Sequence, residues 1–157
     1  MKSKNTLLTF ALLATGFVAC NNQSKENSTD STEETAVVET PKPAEIDGEV
    51  FFVNVKDSQD IKLPFIVEFG VTGMEVEPAG EKKSGKGHHH MIIDGTFVPE
   101  GTIVPMSQTS IHYGKGQTQD TIKTLAKGMH TLTLQFADGF HMSYGEKLSK
   151  TISVNVK

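Results

Sequence analysis

The chain has no arginine, no tryptophan and one cysteine, and beyond its first twenty residues it has no long apolar run. Arginine's planar fork is the usual device for gripping phosphate or carboxylate with two bonds, so anion recognition is left to lysine as a point charge. A single cysteine excludes an intrachain disulfide and any thiolate metal cluster. Without tryptophan or paired cysteines, the packed core of antibody domains is also excluded. The formal net charge is −4, and it is unevenly spread. Residues 21–49 carry Lys25 and Lys42 against eight acids, a net of −6, whereas residues 50–157 carry eleven lysines against eleven acids. The C-terminal part therefore has no basic field, and nucleic acid is not an expected partner.

The N-terminus reads as a leader. Lys2 and Lys4 precede the apolar run Leu7–Val18, which is shorter than the ~20 residues a membrane-spanning helix needs. Its end, Phe17-Val18-Ala19-Cys20, resembles a bacterial lipobox, with Phe17 where leucine is usual. Residues 1–19 are expected to be removed as a lipoprotein signal peptide, and Cys20 to carry the lipid. A buried or catalytic thiol is the alternative, and a lone cysteine directly after such a run gives it little support. Residues 20–49, rich in Asn, Ser, Thr, Glu and Pro, cannot bury enough apolar surface to offset their ordering entropy, which predicts an acidic, disordered tether. Asn21 is not the aspartate associated with inner-membrane retention. The expected location is the cell envelope, on the outer membrane (periplasmic face or surface) ahead of the inner one.

Residues 50–157 show short alternating apolar runs broken by Gly, Pro and Asp-Gly, the signature of strands and turns. The predicted runs are Phe51/Val53/Val55, Phe65–Val71, His88–Ile93 into the Asp94-Gly95 turn, one near Ile103 or Ile111, Thr121–Leu125, His130–Phe136 and Leu148–Val156. About seven strands in roughly 105 residues predict an all-β, antiparallel, immunoglobulin-like β-sandwich.

Histidine is the residue type with chemistry to offer. In Gly87-His88-His89-His90-Met91-Ile92-Ile93-Asp94, side chains alternate across the strand. His88 and His90 then share one face, and His89 lies with Met91 and Ile93 on the other. Two imidazoles at i and i+2 can share a metal ion, with further ligands from His112 or His130. His89, His141 and Met142 are lesser candidates. His130 shares parity with Leu132 and Leu134, so it lies at the edge of the core and needs a polar partner. Imidazole with thioether suits copper ahead of zinc. The bland alternative is that the methionines fill the core and the histidines hydrogen-bond to backbone.

Two other patterns carry less. Gly80-Glu81-Lys82-Lys83-Ser84-Gly85-Lys86-Gly87 fits a phosphate-loop spacing, but Gly87 stands where Ser or Thr should hold magnesium and a strand follows instead of a helix. It reads as a lysine-bearing loop. Ser110 near His112, with Asp94 and Asp138, shows no spacing that activates a nucleophile, so hydrolase chemistry is not expected.

Pro78-Ala79-Gly80, the GHHH block ending in Ile93-Asp94, Ile111-His112-Tyr113-Gly114-Lys115-Gly116-Gln117-Thr118, and Gly128-Met129-His130-Thr131-Leu132 followed by Ala137-Asp138-Gly139 together resemble the bacterial DUF4399 family. The resemblance runs from about Val50 to Val156. It implies no activity, because the family is a domain of unknown function, but it singles out His88, His89, His90, His112 and His130, and His141 less closely. Two readings follow. One is a non-enzymatic module binding copper or zinc. The other is a structural or adhesive envelope module that binds a protein or glycan. They separate on whether three ring nitrogens come within ~4 Å of one another.

Overall fold

The computed structural model describes residues 47–157; the expected leader, Cys20 and the tether as far as residue 46 lie outside the described residues. Nine strands follow in chain order: β1 Glu49–Phe52, β2 Gln59–Ile61, β3 Phe65–Thr72, β4 Glu75–Val76, β5 Lys86–Ile93, β6 Ser110–His112, β7 Gln119–Ile122, β8 Gly128–Ala137 and β9 Ser149–Val156. No α-helix occurs among the described residues; a 3₁₀ turn at Glu146–Leu148 is the nearest approach. One sheet has the order β1-β3-β7. The other runs β2-β9-β8-β5-β4, with β6 also paired to β5.

The all-β expectation holds, with two corrections. The described residues form nine strands instead of about seven, and the larger sheet is mixed: β2 runs parallel to β9, and β4 parallel to β5. Both additions are two or three residues long, too short for alternation to reveal in a sequence. The first strand is also out of phase with the expected pattern. It ends at Phe52, Val53 is exposed, and the fully buried residue is Val50. Asn54 is the cause. Its amide donates to the Ile66 carbonyl and accepts from the Glu68 amide, so a side chain replaces the ladder where the strand would have continued.

The two sheets share one apolar core. Val50, Val67, Phe69 and Ile122 come from the smaller sheet, and Met91, Leu132, Leu134, Phe136, Ile152, Val154 and Val156 from the larger. Each of these large side chains contributes ~1.5–3 kcal/mol on burial. The opposite face of the larger sheet holds His88, His90 and Ile92 on β5 against Ala137, Gln135 and Thr133 on β8. This face is covered as well. Residues 94–109, the long connection from β5 to β6, pack Val98 and Val104 over Ala137 and Ile92. Gln135, fully buried, pins this cover: its carbonyl accepts from Val98 N, and its amide donates to Gly145 O and Leu148 O.

Candidate metal centre

Strand β5 places its histidines as the period of two requires. His88 and His90 lie on the covered outer face, fully buried, with their Nε2 atoms 3.1 Å apart. Strand β6 pairs antiparallel with β5 so that His112 stands directly opposite His90, and the two rings stack with centroids 5.0 Å apart. His141 arrives from the turn after β8. Its Nε2 lies 3.1 Å from that of His112, and its ring centroid is 5.0 Å from His88 and 5.8 Å from His90.

Four imidazoles thus converge, two buried and two half-exposed, which leaves an approach from the His112 and His141 side. Two ligands each ~2.05 Å from an ion stand about 2.9 Å apart at a right angle and about 3.35 Å apart in a tetrahedron. The 3.1 Å pairs fall between these values. The ligand atoms of His88, His90 and His112 all lie within 4.8 Å of one another; His141 falls outside that set and meets it through His112. Two nitrogens on one ion can be at most ~4.1 Å apart, so the widest pair must close by under an ångström.

The electrostatics favour the neutral, ligating form of the rings. Burial, and after it the neighbouring imidazoles, push His88 down to about 4 and His90 to about 3. Burial and the nearby His141 lower His112 as well. Within each 3.1 Å pair one neutral ring donates Nε2–H to the other, and a metal would displace that proton to Nδ1. The Nδ1 atoms of His88 and His90 are buried with no partner among the described residues. The acceptors that usually brace a metal-ligating histidine are therefore not supplied by the described residues, and their loss in known sites costs ~10–100-fold in affinity.

Two of the expected histidines are placed elsewhere. His89 points into the core with Met91 and Ile93, its ring edge-on to Phe69 and Phe136 at 5.0 Å each, and neither ring nitrogen has a partner among the described residues. His130 lies opposite Val154 towards the start of β8, whereas His88 is level with Ala137 at its end. From the level of His90 to His130 is five residues of strand, roughly 17 Å. His130 has the partner its parity required: Nδ1 is 2.8 Å from Asp94 Oδ2, and Nε2 is 3.0 Å from the Ala126 carbonyl oxygen. Neither histidine is in position to join the cluster. Met142 lines a cavity of about 560 Å³ with Lys82, Glu100, Asp138 and Tyr144, and no histidine borders it.

Glycines explain why the surrounding motifs read as they do. A Cβ on Gly114 would stand 2.2 Å from His112 Cε1, so the ring needs that position bare. On Gly87 it would meet the Ala137 carbonyl, and on Gly139 the Glu81 carbonyl. A profile described as a domain of unknown function, DUF4399, matches residues 67–157, more than half of the chain. The chain belongs to the DUF4399 family. The matched stretch contains all four clustered histidines and the three glycines that fit against them or their strands. No curated protein and no solved structure matches the chain.

Strand parity, which is legible in a sequence, favours His130 over His141; the turn geometry that brings His141 in is not legible. The available signal was Asp138-Gly139, a turn pair directly after a strand. Nothing in the sequence marked Gln135, a polar residue in a strand, as the anchor of the cover.

Proposed function

We propose that this DUF4399 chain is a metal-binding module that holds one transition-metal ion on His88, His90, His112 and His141, copper ahead of zinc. The observation that carries the reading is that His88, His90 and His112, from two adjacent strands, bring their ligand atoms within 4.8 Å of one another, with His141 adding a nitrogen 3.1 Å from His112. A cluster of neutral imidazoles without a thiolate or carboxylate among them ranks divalent metals by intrinsic affinity, which peaks at copper. Four protein nitrogens fill a tetrahedral shell, whereas catalytic zinc sites keep one position open, so binding is favoured over catalysis. The lipobox ending at Cys20 supports an envelope location on a lipid anchor, the outer membrane ahead of the inner. A Cys20→Ser substitution that left the protein membrane-bound would remove that part of the reading.

The test is titration of the purified protein with Cu(II) and Zn(II) by calorimetry, with electron paramagnetic resonance on the copper form. One ion per chain and nitrogen hyperfine structure are expected, both abolished in the His88→Ala/His90→Ala double variant. Absence of binding, or binding unchanged in that variant, would leave the histidines as a hydrogen-bonded cluster and favour the structural or adhesive module instead.

A further inference from the structure

His141 differs from the other three ligands in being carried by a turn, in the left-handed region at φ 67. A non-glycine residue there is strained and persists only where its surroundings hold it. Those surroundings centre on Asp138. Its backbone amide donates to Met142 O and its carbonyl accepts from His141 N, both at 2.9 Å. Its Oδ1 accepts from Phe140 N at 2.9 Å and Met142 N at 3.0 Å, so one carboxylate oxygen ties the turn on both sides of His141.

The same carboxylate is 1% exposed, and its other oxygen faces Lys82 Nζ at 3.2 Å. Lys82 belongs to the segment from Pro78 to Gly85, which is hydrogen-bonded to backbone near both half-exposed histidines. Ala79 N donates to Gly114 O, two residues past His112, and Gly80 N donates to Gly139 O, two residues before His141. Gly139 packs so closely under this strap that a side chain there would overlap the Glu81 carbonyl.

We propose that Asp138 is the positioning residue of the metal centre: through Oδ1 it fixes the turn that brings His141 to the three strand-borne histidines, with the Pro78–Gly85 strap holding that turn in place. The inference rests on the metal-binding reading and adds to it the element that makes a four-nitrogen site out of a three-nitrogen one.

Asp138→Ala removes the acceptor, and Asp138→Asn keeps an oxygen for both amides while losing the charge. In the full chain loaded with Cu(II), Asp138→Ala is expected to shift the resonance spectrum from four nitrogens to three and to weaken binding tenfold or more. Asp138→Asn is expected to restore both. In a His141→Ala background, Asp138→Ala should add nothing further. Without metal, Asp138→Ala should abolish the ring-to-ring nuclear Overhauser contact between His112 and His141. Should Asp138→Ala fail to fold, Gly139→Ala, which parts strap from turn with Asp138 intact, is expected to give the same three-nitrogen signal. A wild-type protein that binds no copper overturns both this inference and the metal reading. A four-nitrogen spectrum in Asp138→Ala, or an Asp138→Asn variant as impaired as Asp138→Ala, overturns the positioning role alone.

Discussion

Replacement of His89 by leucine is expected to stabilise the protein, although it removes a residue from the most conspicuous motif in the chain. His89 is fully buried, both ring nitrogens lack a partner among the described residues, and its neighbours are the rings of Phe69 and Phe136. A buried polar group left unsatisfied costs ~1–3 kcal/mol, and an apolar swap of similar volume costs under about 1.5 kcal/mol in repacking. The net expectation at pH 7 is a gain of about 1–2 kcal/mol. The gain should grow in acid. Burial holds the His89 ring at about 4 against 6.5 in the unfolded chain. The unfolded state therefore binds a proton first, and wild-type stability is lost as pH falls from about 6.5 towards 4. At pH 5 that amounts to about 1.5 pH units, or ~2 kcal/mol, absent from the leucine variant. His88 and His90 lose stability in the same direction in both proteins, so the difference reports His89 together with its coupling to these two neighbours. Urea unfolding followed by circular dichroism at pH 7 and pH 5 measures both quantities. A leucine variant less stable than wild type at pH 7, or a difference that does not widen at pH 5, would show that His89 has a buried partner and refute the reasoning. Copper binding by the variant should be unchanged, since His89 faces away from the cluster.

Metal binding should resist acid more than an ordinary histidine site does. Rings held at about 4 and about 3 stay neutral well below 6.5, so protons compete with metal at His88 and His90 only near those values. Four ordinary imidazoles would lose roughly 200-fold in affinity between pH 7.5 and 6, whereas a much smaller loss is expected here because His88 and His90 stay neutral over that range; competition titrations at the two pH values decide. Gly114→Ala should drive the His112 ring off the site, weakening copper binding at least tenfold by calorimetry with the fold intact by circular dichroism. Gln135→Leu leaves Val98 N, Gly145 O and Leu148 O without their partner, and at ~1–3 kcal/mol for each orphaned group it should destabilise by about 3 kcal/mol or more in denaturant unfolding. Unchanged stability there would mean that the 94–109 cover stands without it.

Much of the strand map was determined by the sequence alone, because alternation has a period of two and the turn residues break it. Phe65–Val71, His88–Ile93 and His130–Phe136 all form strands, as does Leu148–Val156 from Ser149 onward, and His88 with His90 on one face and His89 on the other follows from that period alone. The same sequence could not show β2 or β4, whose two or three residues carry no pattern, nor their parallel pairing. It could not show which distant residues meet. His112 joins His90 through the register of β6 on β5, and His141 joins His112 through a left-handed turn held by Asp138. His130, equally plausible as a residue type, is roughly 17 Å away along β8 and bound to Asp94. Local periodicity fixes the face on which a side chain lies, because it follows from the geometry of one strand. The ligand set depends on pairing between segments far apart in the chain, and only the tertiary structure decides that.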